Sequence, residues 1–457
     1  VLPRLTHRAL TALLFITPTL GCDSPDKTED VENPDVGEGG SDDGVSETGG
    51  DAEAFFTPEE RQTILAWLGP LPDSPPNDPS NAFAEDPGAA VLGQKFFFEA
   101  DYSENGDISC KTCHDPAAAF DESREGNTSE GLTFTDRSSM SVLNGAYAAA
   151  AEDDTQWQFW DGRSDSQWSQ ALGPPESPVE MGSTRTRVVL LIHDKYGEEY
   201  EAVFGPLPTL HDGGGAPLIP EDAMPGDEGW DSAPAEVQDA YNEVYVNFGK
   251  AIAAYERRLV SRGSRFDAFW EELALGAADS DLLTDVEKEG LRAFIGNGRC
   301  LGCHSGPNFT DNQFHNTGVP QVGDNLLEAD LGRGTGLAIA IDSPFNCAGP
   351  WSDHPDKAAC GVSNLTPDMG EPGAFKTPSL RDIANRAPFM HTGSMATLDQ
   401  VIQHYDMGGA APGLFEGTRD ELMRPIGLTS PERQGLVAFM ATLTGEPLDP
   451  ALTEDIR

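Results

Sequence analysis

Two pentads carry the clearest chemistry in the chain: Cys110-Lys111-Thr112-Cys113-His114 and Cys300-Leu301-Gly302-Cys303-His304. Two thiols separated by two residues, with a histidine directly after the second, have the spacing of a c-type haem attachment site. The thiols form thioethers with the haem vinyl groups, and the histidine is placed as the proximal iron ligand. The two pentads therefore imply two covalently bound haem c groups. Their remaining ligands and surroundings set whether each haem binds a substrate or passes electrons. The competing use of paired cysteines is a zinc site. The distance between the pairs and the histidine after each weigh against it.

The other three cysteines point to an exported protein. Arg4 and Arg8 precede an apolar run from Ala9 to Leu20, closed by Gly21-Cys22. This reads as a leader too short for an ordinary membrane-spanning helix, which needs about 20 apolar residues. Its Gly-Cys ending resembles a bacterial lipoprotein signal, with Cys22 as the lipidated residue and residues 1–22 as the signal; the alternative is a plain secretory signal. The expected location is periplasmic, with the membrane reached only through a lipid anchor. Residues 23–54 are rich in Asp, Glu, Gly and Ser and carry too little apolar surface to fold, so they read as an acidic, disordered tether. Cys347 and Cys360 remain, and in an oxidising compartment they are expected to form a disulfide worth about 3 kcal/mol.

The formal net charge is −48. The first 54 residues hold 12 acidic and 3 basic residues, so most of the charge lies on the body. That excludes a basic nucleic-acid-binding surface. It suits a small, basic electron carrier, whose encounter opposite charge would speed; solubility alone is the simpler use of the charge.

The elements that must position the pentads read as helices. Thr57 and Glu60 form a capping box ahead of an apolar-periodic stretch. Val244, Phe248, Ile252, Tyr255 and Leu259 predict one long helix within 237–270. Thr284 opens a helix ending near Gly296, just before the second pentad, and Thr429 with Glu432 opens a last one. Strand patterns are scarce. The stretch 323–373, rich in Gly, Pro and Asp, reads as a surface loop held by the disulfide. The fold class is mainly α: two cytochrome c-like haem domains with long irregular loops.

The two haems are not equivalent in their neighbours. From Asp115 to Ser139 there is neither His nor Met, so the first haem lacks a nearby sixth ligand. Met140, Met181 and His193 are the distant candidates. An open position is what iron needs to bind peroxide or oxygen.

Several motifs then narrow the class. They are Phe159-Trp160-Asp161-Gly162-Arg163, Gln170-Ala171-Leu172-Gly173-Pro174, Glu180-Met181-Gly182, the run Phe314 to Pro320, the run Phe375 to Arg381 and the run Ala387 to Gly393. In this order they resemble the bacterial dihaem cytochrome c peroxidase family, which includes the methylamine dehydrogenase maturation enzyme MauG. The resemblance implies an N-terminal peroxidatic haem domain at 55–265 and a C-terminal electron-transfer haem domain at 266–457. It implies that Trp160 relays electrons between the haems, and that Gln170 and Glu180 face the open side of the first, with Pro174 shaping the pocket. A positioned carboxylate such as Glu180 can move a proton from one peroxide oxygen to the other. The simpler readings are a core tryptophan and a solvated glutamate.

The sequence departs from the family pattern in three places. The displaceable distal histidine of peroxidases that need reductive activation is missing after the first pentad. The usual axial methionine of the second haem falls on Tyr405, and tyrosinate is an established haem ligand that favours ferric iron; Met395 and Met407 are its neighbours. The Asn that supplies a side chain to the family's calcium ion is replaced by Ser138, so calcium is expected only through carbonyls and water; Asn144 matches a further family position. The implied activity is reduction of hydrogen peroxide with electrons from a small cytochrome c or cupredoxin. The alternatives are oxidation of a side chain on a protein substrate, as in the maturation enzyme, and a dihaem electron carrier without peroxide chemistry.

Overall fold

The computed structural model describes residues 54–122, 128–148 and 155–457. The leader, and all of the tether but its last residue, lie outside the described residues. Among the latter, helices dominate and no helix is long and apolar enough to cross a membrane.

Helix α1 (Pro58–Trp67) begins at the expected capping box. Glu60 N–H donates to Thr57 Oγ1 at 3.2 Å, and Thr57 N–H donates to Glu60 Oε2 at 2.8 Å. Helix α2 (Pro87–Phe98) buries Leu92, Phe96 and Phe97 and leads towards the first pentad. After the short α3 (Gln167–Ala171) come α4 (Arg185–Phe204) and α5 (Ala235–Glu256). The single long helix expected over 237–270 is two: α5 ends at Glu256 and α6 spans Arg265–Ala274. The chain turns at Gly263, whose φ is +66°, and Ser264 exchanges capping bonds of 3.1 Å with Asp267. Leu259 and Phe266, both buried, carry the apolar pattern across the break and hide it from periodicity.

Helix α7 (Asp285–Ile295) opens at Thr284 and Glu287 as expected and runs into the second pentad. The supposed surface loop at 323–373 contains helix α8 (Arg333–Asp342). Its first residue, Arg333, is buried with its guanidinium over the rings of Trp157 and Phe314. The Cys347–Cys360 disulfide closes the loop behind it. Helices α9 (Leu398–Met407) and α10 (Ser430–Ala441) complete the set. Among the described residues the one regular ladder is antiparallel, β1 (Phe314–His315) against β2 (Phe375–Lys376).

Each pentad follows a helix that makes a close crossing. Helix α2 meets α5 where Gly93 faces Ala251, and a Cβ at Gly93 would stand 1.8 Å from the Ala251 carbonyl oxygen. Helix α7 meets α10 where a Cβ at Gly290 would stand 1.9 Å from the Gly435 oxygen. Around each crossing lies an aromatic core. The first gathers Phe96, Trp168, Tyr245 and Phe248; the second gathers Phe266, Phe294, Phe309 and Phe439. Burial of each such ring is worth about 1.5–3 kcal/mol.

The chain ends cross over between the cores. Phe56, Ile64 and Leu68, near the start of the body, pack into the second core. Leu448 and Leu452, near the C-terminus, pack on the first. The crossing segments are held by polar contacts as well: Gln94 Nε2 donates to the Ala451 and Glu454 carbonyls at 2.7 and 2.9 Å. Buried Arg381 donates to both oxygens of Asp267, at 3.0 and 2.9 Å, and to the Gly69 carbonyl at 2.9 Å.

Candidate dihaem site

One connected cavity of about 830 Å³ takes in His114, His304, Cys113, Cys300 and Cys303. Each pentad closes a tight turn that brings its histidine back beside the first cysteine. Cys110–Cys113 form a single helical turn, with His114 N–H donating to the Cys110 carbonyl at 3.0 Å. Cys300–Gly302 form a 3₁₀ turn, with His304 N–H donating to the Cys300 carbonyl at 2.8 Å. Among the described residues the two cysteine pairs do not gather into one donor cluster, so a four-thiolate zinc site has no geometry here. Burial lowers the pKa of both imidazoles and keeps them neutral, the form that binds a metal.

The histidines differ in their support. His304 Nδ1 lies 2.9 Å from the Phe309 carbonyl, to which it donates, so Nε2 is left as the ligand atom. His114 Nδ1 is buried and makes no bond as close, interacting only loosely with the backbone of Phe120 and Met140.

The cavity wall fits haem carboxylates. Arg386 is buried there, and its Nε and Nη2 have no hydrogen-bond partner. Lys376 is also buried on the wall, and burial brings its ammonium pKa down to about 8. Two buried cations facing a cavity suit the propionates of a bound haem. Sequence reading did not single them out, although Lys376 lies within a quoted motif and Arg386 directly precedes one.

Trp160, Gln170, Pro174, Glu180 and Tyr405 all line the cavity. Trp160 is held by segments from both halves of the chain. Its Nε1 donates to the Ser138 carbonyl at 2.8 Å, and its own carbonyl accepts from Lys376 N–H at 2.7 Å. The neighbouring Asp161 pairs with Arg137 at 2.6 Å, and Arg137 pairs with Asp330 at 2.7 Å. Gln170 projects from α3. Glu180 sits on a turn fixed by backbone bonds: its N–H donates to the Ser177 carbonyl at 3.2 Å, and its carbonyl accepts from Leu132 N–H at 2.8 Å. Burial raises the pKa of its carboxyl, offset only in part by the Ser177 hydrogen bond and the Arg163 charge.

Tyr405, near the end of α9, is close enough to Cys303 and Cys300 to interact with both. Burial and then those two thiols push its phenol pKa up, against a hydrogen bond with Thr317. Met395 is buried off the cavity and Met407 is 58 % exposed. Of the distant candidates for the first haem, Met140 lines the cavity. Met181 does not, and His193 pairs instead with Asp194 at 2.7 Å and packs on His211. The Ser138 carbonyl is taken by Trp160 and its N–H by the His391 carbonyl. Asn144, with φ +58°, lines the cavity and accepts from Ser261 N–H at 2.9 Å.

Paired attachment turns, neutral histidines and buried cations on one cavity define a c-type dihaem oxidoreductase. The profile of the di-haem cytochrome c peroxidase family matches residues 87–274. The chain is 30% identical over 380 residues to the methylamine utilization protein MauG of Methylorubrum extorquens, covering 82% of this chain and 83% of that one. It is 31% identical to the cytochrome-c peroxidase IdrP1 of Denitromonas iodatirespirans, covering 85% and 90%. The crystal structure of the diheme peroxidase BthA from Burkholderia thailandensis shares the fold at a TM-score of 0.58 and 22% identity, covering 84% of this chain and 95% of that one. The chain belongs to the dihaem cytochrome c peroxidase and MauG family; it is a mainly helical dihaem peroxidase carrying two haem c groups.

Proposed function

We propose that the chain reduces hydrogen peroxide at the haem of His114, with electrons delivered by a small cytochrome c or cupredoxin through the haem of His304. The haem iron supplies the centre at which peroxide is bound and reduced. Glu180 accepts a proton from one peroxide oxygen at its carboxylate and returns it to the departing oxygen, which leaves as water. Gln170 orients the peroxide by hydrogen bonding, and Pro174 limits its approach. Trp160 relays electrons, and Tyr405 would join His304 in holding the second haem.

The observation that carries this reading is a carboxyl whose pKa burial raises, on the cavity that also takes in Gln170, His114 and His304. For Tyr405, the support is its place on the cavity, near enough to the Cys300 and Cys303 thiols to feel them electrostatically, while Met395 and Met407 lie off the cavity. Steady-state consumption of peroxide with a reduced cytochrome tests the function. Rapid turnover without prior reduction is expected; none with any small redox protein contradicts it. A second reading, oxidation of a side chain on a protein partner, is favoured by Tyr405 and predicts slow turnover with small donors.

Residues 55–265 and 266–457 serve as the peroxidatic and electron-transfer halves, apart from the exchanged ends: Phe56, Ile64 and Leu68 pack in the second core, Leu448 and Leu452 on the first. The Cys347–Cys360 disulfide supports a periplasmic location, with Cys22 as the lipid anchor. A calcium ion near Ser138 rests on the family resemblance alone. Both main-chain polar groups of Ser138 are engaged, and no step is assigned to the ion.

A further inference from the structure

A file of aromatic rings leads from the first haem attachment site to an ion cluster at the surface. Tyr102, 1% exposed, places its hydroxyl 3.8 Å from the Cys110 sulfur that forms the thioether. Its ring meets Phe248 edge-on at 5.5 Å; Phe248 lies 5.2 Å from Phe96, and Phe96 meets Tyr196 edge-on at 5.4 Å. The Tyr196 hydroxyl donates to Glu99 Oε2 at 2.5 Å. Glu99 is fully buried, yet Lys195 donates to it at 2.6 Å and Arg457 at 2.8 Å. Burial raises the pKa of this carboxyl, but bonds from Lys195, Tyr196 and the Asp101 N–H outweigh it and hold it at about 2. The Lys195 side chain is 41% exposed. A structural ion cluster needs Glu99 and its cations; it does not need a buried phenol joined by contiguous rings to a haem thioether.

We propose that Tyr196 is a redox outlet for the peroxide-oxidised first haem site, with Glu99 as the acceptor of its proton. This rests on the peroxidase reading of that site. Peroxide takes up two electrons as it becomes water. When the protein donor is absent, one electron leaves Tyr196 through Phe96, Phe248 and Tyr102. The phenolic O–H bond breaks, its proton passes to Glu99 Oε2, and a neutral tyrosyl radical remains. A small anionic one-electron reductant of the ascorbate class, drawn to Lys195 and Arg457, returns the electron, and Glu99 returns the proton. The route gives the site a way to discharge oxidising equivalents that would otherwise attack the haem.

The test is freeze-quench EPR of the holoenzyme mixed with stoichiometric hydrogen peroxide and no donor. The wild type is expected to show a tyrosyl radical that Tyr196→Phe loses, with the ring packing and cytochrome-supported turnover unchanged. Under repeated peroxide without donor, the variant's haem absorbance should bleach several-fold sooner. Ascorbate should protect the wild type and not the variant. Glu99→Gln, which keeps an acceptor oxygen but no carboxylate to take the proton, should lower the radical yield. A wild type without a tyrosyl radical, an equal radical yield in Tyr196→Phe, or equal protection by ascorbate would each overturn the outlet while leaving the peroxidase reading intact. A wild type that consumes no peroxide with any donor overturns both.

Discussion

The two halves of this molecule share a plan and differ in their walls. In each, a helix makes a close crossing and leads to a Cys-x-x-Cys-His turn on one side of a common cavity. Around the first pentad the family motifs bring polar groups to that cavity: Gln170, Glu180, Ser177 and Arg163. Around the second lie the aliphatic side chains of Leu380, Val401, Ile402 and Leu436 with Tyr405 as the phenol, and the His315–Asp420 pair at 2.7 Å beside Cys303. His304 is anchored by its 2.9 Å bond to the Phe309 carbonyl, whereas His114 makes only looser backbone contacts, with Phe120 and Met140. One attachment chemistry thus serves two tasks. A wall that supplies a proton carrier suits bond breaking. A firmly held ligand suits electron transfer, where little should move.

The sharpest way to break this contrast is to remove the proton carrier. Glu180→Gln should lower peroxide turnover by about 10²–10⁴-fold with haem content intact; unchanged steady-state kinetics would remove Glu180 from the mechanism. Disturbing the second half should instead cost stability. Arg381→Ala leaves Asp267 buried without its bidentate partner and should cost about 3–5 kcal/mol, read as a lower melting temperature. A melting temperature equal to wild type would show that this pair does not hold the second core.

Smaller effects refine the comparison. If Tyr405 holds the second haem as proposed, Tyr405→Phe removes an anionic ligand that favours ferric iron, and the potential should rise by on the order of 100 mV. An unaltered potential and ligand-field spectrum would refute the axial assignment. The last contrast is in pH. Burial raises the Glu180 pKa, and the carboxylate is the form that accepts the first proton. The rate at low peroxide should therefore rise with pH through a limb lying above the ordinary glutamate range, and Glu180→Gln should abolish it. A limb that persists in the variant belongs to another group.

Much of this was legible from local rules. The pentads, the capping boxes at Thr57, Thr284 and Thr429, and the Cys347–Cys360 pairing each depend on residues close in sequence or on simple cysteine accounting. What escaped depends on distant partners or on masked periodicity. Leu259 and Phe266 ran an apolar pattern across the turn at Gly263. Helix α8 begins in a Gly-rich stretch because Arg333 finds Trp157 and Phe314 far along the chain. The exchange of chain ends between the cores has no local signature at all. At the site, nothing local marks Lys376 and Arg386, which only the fold buries on the cavity wall.

The inequality of the two haems is the central claim, and EPR of the resting ferric holoprotein tests it most directly. An open first haem and a Tyr405-ligated second haem predict one high-spin and one low-spin signal, with peroxide or a small anionic ligand altering the high-spin signal first. Two low-spin, six-coordinate signals, both indifferent to peroxide, would contradict it and leave an electron carrier in its place.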